Sequence, residues 1–214
     1  MATYNAIAGT IGAGKTTVCR EIDSVSKRMV SPITVGYEPK SPYLERFYEN
    51  PKKWAFHMQV WMMQERRKQA LMLEVSSIPE DSWPGIQDRC CHEDTIFREM
   101  LYKQGNLSKV EYEMCRDMHN RYWKPGMTPN NIIYLRVSAK TSIARVRERN
   151  RDAEIEVSDT YLCELHRRYE IWAEENSGDN FHIVDWNEPD MDKIYKILGK
   201  HCYPEDDYYE VEWS

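Results

Sequence analysis

The chain has 214 residues, 41% hydrophobic and 30% charged, which is enough to bury the core of one α/β domain with ordinary globular composition. Its net charge of −6 speaks against nucleic acid as the main partner, which asks for a basic surface, whereas a mononucleotide needs only a few local cations. The first residues, Met1-Ala2-Thr3-Tyr4-Asn5, carry no basic-then-apolar leader. No run of about 18 apolar residues predicts a membrane span. Six cysteines without C-x-x-C spacing read as reduced thiols, so the expected setting is cytoplasmic.

In chain order, apolar runs at Tyr4–Ala8, Ile33–Tyr37, Ile86–Gln87, Asn131–Val137 and Phe181–Val184 predict buried strands. Helical patterns fill 15–28, 52–75, 93–104, 108–122, 139–150, 159–175 and 190–201. Ser158-Asp159 and Glu188-Pro189-Asp190 read as helix starts. This alternation predicts an α/β fold over residues 1–214, a five-stranded parallel sheet flanked by helices on both faces. Ser76–Pro84 reads as a loop closing a helix, and residues 203–214 as an acidic, aromatic surface tail.

Gly9-Thr10-Ile11-Gly12-Ala13-Gly14-Lys15-Thr16 fits G-x-x-x-x-G-K-[ST] in full and lies between a predicted strand and a predicted helix. Glycines let successive N–H groups turn toward one anion, and the helix N-terminus adds partial positive charge. Lys15 is placed to reach the β/γ-phosphates of a nucleoside triphosphate, and the Thr16 hydroxyl to bind Mg²⁺. Thr17 continues the loop into its helix.

Three features mark an acceptor side. Glu38-Pro39 ends the second strand, where a carboxylate faces the ligand crevice and is placed to take a hydroxyl proton. A plain solvated turn is the competing reading. Asp88-Arg89 ends the third strand; Asp88 is a candidate for Mg²⁺ through water and Arg89 for a substrate oxygen or phosphate, against a structural ion pair. Arg145, Arg147, Arg149 and Arg151 form a run that is either a solvated face or a cationic lid spanning about 145–157.

Together GTIGAGKTT (9–17), Glu38-Pro39, ENPKKWAFHMQ (49–59), DRCCHED (88–94) and YLRVSAKTSIARVRERNRDAE (134–154) resemble the deoxynucleoside kinase family. That resemblance implies a P-loop kinase fold with an Arg-rich lid, usually a homodimer. It implies transfer of the ATP γ-phosphate, with Mg²⁺, to the 5′-hydroxyl of a deoxynucleoside. Glu38 would be the base, with Lys15 and Arg89 as its catalytic partners; Arg145, Arg149 and Arg151 would serve the nucleotide. Gln59 would read the base, while Tyr48 and Glu154 would hold the sugar 3′-hydroxyl. Phe47, Met58, Trp61, Met62 and Phe97 would line the pocket. Without the family, Tyr48 reads as helix-face core and Gln59 as surface.

Family members acting on purines or cytosine carry Arg and Asp where this chain has Arg66 and Asp94, so the resemblance leans toward those bases over thymine. A plain salt bridge is the alternative. Cys90 departs from the family's usual serine, and Tyr43 from a common tryptophan. Two rival functions use the same scaffold: a deoxynucleoside monophosphate kinase, and a non-catalytic nucleotide-binding subunit.

Overall fold

The computed structural model describes residues 4–28, 33–76, 84–124, 128–151, 157–176 and 178–198. Five strands, β1 (Tyr4–Ala8), β2 (Val35–Gly36), β3 (Gly85–Asp88), β4 (Asn131–Arg136) and β5 (Phe181–Asp185), form one sheet in the order β2-β3-β1-β4-β5. Every pairing is parallel. Parallel neighbours need long crossovers, which the helices supply. They are α1 (Lys15–Ser26), α2 (Leu44–Glu49), α3 (Pro51–Ser76), α4 (Glu93–Lys103), α5 (Lys109–Tyr122), α6 (Ala139–Arg149), α7 (Asp159–Glu175) and α8 (Met191–Leu198).

The period-2 alternation of β1 divides the core. Ile7 joins Val18, Ile22, Leu135, Trp186 and Ile194 under α1 and α8. Ala6 and Ala8 face Met100, Leu165, Tyr169 and Trp172 under α4 and α7. Both faces are therefore covered, as runs of buried strand residues require.

Local signals set several boundaries. Ser108 accepts from Glu111 N while Glu111 reaches back to Ser108 N, closing a capping box on α5. Ser138 and Ser158 cap α6 and α7 in the same way as acceptors. The expected Ile33–Tyr37 strand shrinks to Val35–Gly36, at the sheet edge with β3 as its neighbour. α2 is an addition: six residues after Pro39 and Pro42, too short to show a helical period.

Register then sets the site. Ile7 pairs with Asp88, and Gly36 with Gln87, so Gly9, Glu38 and Arg89 all leave the carboxyl edge side by side. The expected lid is described for 145–151 and 157. Residues 152–156, Glu154 among them, and the tail from 203 lie outside the described residues.

Candidate active site

Three glycines of the phosphate loop, Gly9, Gly12 and Gly14, have positive φ. A side chain on Gly12 (φ 81°) would put its Cβ 2.5 Å from the Ser142 carbonyl oxygen, and Gly14 (φ 100°) forms the left-handed N-cap of α1. Ser142 on α6 donates through its hydroxyl to Ile11 O at 2.6 Å, docking the lid helix onto the loop. Lys15 is buried, its ammonium 2.8 Å from Gly9 O and 2.9 Å from Thr10 O. Burial first, then repulsion from Arg89, lowers it to about 8 against the pull of Glu93, Glu38 and Asp88.

At the ends of β2 and β3 lies a dense charge cluster. Arg89 sits in left-handed backbone (φ 74°) with its N–H held by Ile7 O at 2.9 Å. Such a conformation is costly for a long side chain, by about 1–3 kcal/mol. Its Nε donates to Glu38 at 2.6 Å, and its Nη1 to Glu93 at 3.1 Å and to the Tyr169 hydroxyl at 2.6 Å. The guanidinium also lies 5.1 Å above the Phe97 ring. Glu38 remains 31% exposed toward the cleft. Burial raises it, but Arg89, then Lys15 and Arg66, outweigh that and hold it at about 2.

Thr16 donates to Asp88 at 2.6 Å. The second oxygen of Asp88 is buried with no hydrogen-bond partner. Burial, followed by Glu38, pushes this carboxyl up against the opposing pull of Lys15, Thr16 and Arg89. A hydroxyl beside a half-satisfied carboxylate under a phosphate loop fits Mg²⁺, which takes one or two protein oxygens plus phosphates and waters. Among the described residues no group of three or more His, Cys, Asp or Glu converges as a metal cage.

A cleft of about 1010 Å³ joins these groups. Phe47, Tyr48, Met58, Gln59, Met62, Arg66, Asp94 and Phe97 line it, together with Glu38, Arg89, Lys15 and Thr16. Arg66 and Asp94 form a buried ion pair across α3 and α4, and Arg66 also lies 3.6 Å from Glu38. Gln59 is 8% exposed rather than at the surface. Trp61, on the same helix, is not among the lining residues. Arg149 and Arg151 line the cleft from the lid side.

Arg145 does not join them. Its guanidinium donates to Ala13 O (3.3 Å), Trp186 O (3.1 Å) and Asn187 O (3.2 Å). With Gly14, Thr17 and Trp186 it borders a second hollow of about 320 Å³, which shares Gly14 with the main cleft. Arg147 is engaged by Val157 O and Asp159. Residue reasoning missed Glu93, Tyr169 and the cleft-lining Tyr161. Glu93 had a faint signal, four residues beyond Arg89 on a helix start. Tyr169, 80 residues away, had none.

The low Lys15 value has a testable consequence. An anionic phosphate needs the ammonium form, so nucleoside triphosphate binding takes up a proton once the free lysine is neutral. Affinity by calorimetry is expected to hold below pH 8 and to fall by up to about tenfold per unit above it. A flat affinity from pH 7 to 9.5 contradicts this.

Comparison with known proteins agrees with this geometry. The family model for deoxynucleoside kinase matches residues 6–198. The deoxyadenosine/deoxycytidine kinase of Bacillus subtilis is 32% identical over 169 residues, 78% of this chain and 74% of that protein. The deoxyadenosine kinase of Dictyostelium discoideum is 33% identical over 175 residues, 82% of this chain and 68% of that protein. The solved structure of deoxyadenosine kinase from M. mycoides with bound dATP superposes with a TM-score of 0.74 at 32% identity, covering 92% of this chain and 97% of that one. The chain belongs to the deoxynucleoside kinase family.

Proposed function

We propose that this enzyme transfers the γ-phosphate of ATP to the 5′-hydroxyl of a purine deoxynucleoside or deoxycytidine, giving the 5′-monophosphate for nucleotide salvage. The observation that carries the reading is the Glu38–Arg89 pair, which faces the phosphate loop at the head of a cleft lined by Gln59, Arg66 and Asp94.

The 5′-oxygen forms its bond to the γ-phosphorus as the bond from that phosphorus to the β,γ-bridging oxygen breaks. Glu38 accepts the hydroxyl proton, and ADP leaves. At about 2 Glu38 is a weak base, which suits a loose transition state in which the hydroxyl proton moves late. Its first task is to orient the nucleophile. Lys15, Arg89, Arg149 and Arg151 spread positive charge around the transferred group. Mg²⁺ would be held by Thr16 and, through water, by Asp88, and supplies charge neutralisation between the phosphates. Arg145, Thr17 and the hollow beside Trp186 suit the nucleoside part of ATP.

On the acceptor side, Asp94 Oδ2 and Arg66 Nε are buried without hydrogen-bond partners, a cost that a base with matching donors and acceptors relieves. Gln59 adds an amide able both to donate and to accept. Tyr48 is assigned to the sugar 3′-hydroxyl, with Glu154 as its companion by family likeness. Phe47, Met58, Met62 and Phe97 supply apolar walls. We place the enzyme in the cytoplasm; no helix among the described residues is long and apolar enough to cross a membrane.

The discriminating assay is kcat/KM for the four deoxynucleosides, with deoxyguanosine monophosphate beside them. Deoxyadenosine, deoxyguanosine or deoxycytidine is expected to exceed thymidine by at least about tenfold. Thymidine preference overturns the Arg66–Asp94 assignment, and faster reaction of the monophosphate overturns the acceptor. No turnover of any substrate favours a binding subunit.

We further propose a homodimer through α3 and α5, which pack on each other and expose Leu71, Met72, Val75, Val110 and Met114. Such apolar surface is costly in water. Sedimentation equilibrium is expected to give twice the 25.5 kDa chain mass. Leu71→Glu with Met114→Glu is expected to shift it to the monomer. A monomeric wild type refutes the dimer.

A further inference from the structure

Glu93 opens α4 and is fully buried, yet it lines no part of the cleft. Its Oε1 accepts from Gly9 N at 3.2 Å, from Arg89 Nη1 at 3.1 Å and from the Tyr169 hydroxyl at 2.6 Å. Its Oε2 accepts from Cys90 N at 2.7 Å. One carboxylate thus ties the first residue of the phosphate loop to the arginine at the end of β3. Tyr169 closes the triangle: its oxygen accepts from Arg89 and its proton goes to Glu93. The Tyr169 ring is fixed in turn, stacked on Tyr134 at 12° and edge-on to Phe97, the ring beneath the Arg89 guanidinium.

We infer that Glu93 and Tyr169 are positioning residues for Arg89, holding its guanidinium in register with the phosphate loop while Glu38 changes partner. The inference rests on the proposed role of Arg89 at the transferred phosphoryl group. Arg89 is gripped from two sides. On the cleft side its partner is Glu38, which must turn toward the acceptor hydroxyl for reaction. A buried guanidinium deprived of one partner swings unless others hold it. Glu93 and Tyr169 hold the opposite edge, in the core and away from substrate. Because the same oxygen of Glu93 also holds Gly9, the spacing between phosphate cradle and Arg89 is fixed by one group. Misplacement of such a cation by about 1 Å costs up to about a hundredfold in rate.

Tyr169→Phe removes one hydroxyl and little else. It is expected to lower kcat about tenfold, the worth of a hydrogen bond to a charged group, with KM for ATP and nucleoside within about twofold. A core defect would do the same at any background, so the deciding step is a double-mutant cycle with Arg89→Lys, read by single-turnover transfer of labelled phosphate. In the Arg89→Lys enzyme, Tyr169→Phe is expected to change the rate by less than about twofold. An undiminished tenfold effect there, or wild-type kcat in folded Tyr169→Phe, overturns the inference. Glu93→Gln, run through the same cycle, decides the matter if thermal unfolding shows Tyr169→Phe to be misfolded. Wild-type kcat in Arg89→Lys would instead refute the role of Arg89 itself.

Discussion

Arg89 is the constraint around which the site is arranged. A guanidinium that is only 4% exposed must be paired on every side or destabilise the fold, and here Glu38, Glu93, Tyr169 and the Phe97 face share the task. The partners come from three elements: the turn after β2, the helix α4 that carries both Glu93 and Phe97, and the middle of α7. Satisfying this one charge therefore fixes where three elements meet the phosphate loop. Burial works against the charged form, but Glu38, then Tyr169, Glu93 and Asp88, keep Arg89 protonated well above its ordinary range. The permanently charged side chain can be kept in place where a lysine would lose its proton, as the low value of the neighbouring Lys15 illustrates.

Division of labour among the lid arginines follows from the same economy of contacts. Arg145 is spent on backbone carbonyls of the phosphate loop and of the segment after β5. It braces α6 against the loop beside the Ser142 bond. Arg149 and Arg151, at and beyond the left-handed Asn150 that ends the helix, reach the cleft. On the proposed reading the base of the lid is a fixed hinge and its tip carries the charge that meets the transferred phosphate.

Much of this was legible in the residues. Gly9–Thr16 states its own function because anion binding by backbone N–H groups demands glycine at set places. The parallel sheet was visible in the alternation of apolar runs and amphipathic stretches. Glu38 and Arg89 were suggested by standing at strand ends. Gln59 and Arg66 were not, since polar residues on a helix read as surface until the fold shows a cleft beneath them. Only likeness to a family marked them. α2 was hidden by its six-residue length. The left-handed Arg89 and the Glu93–Tyr169 clamp were hidden for a deeper reason: non-local contacts across 76 to 80 residues leave no local period, cap or turn signal.

The central claim is that the carboxylate opposite Arg89 handles the acceptor hydroxyl, and Glu38→Gln tests it most directly. The amide keeps the size and a hydrogen-bonding oxygen but cannot take the proton. The account predicts that kcat falls by about a hundredfold or more while KM for the deoxynucleoside stays within about threefold. Turnover at the wild-type rate in that variant would contradict it.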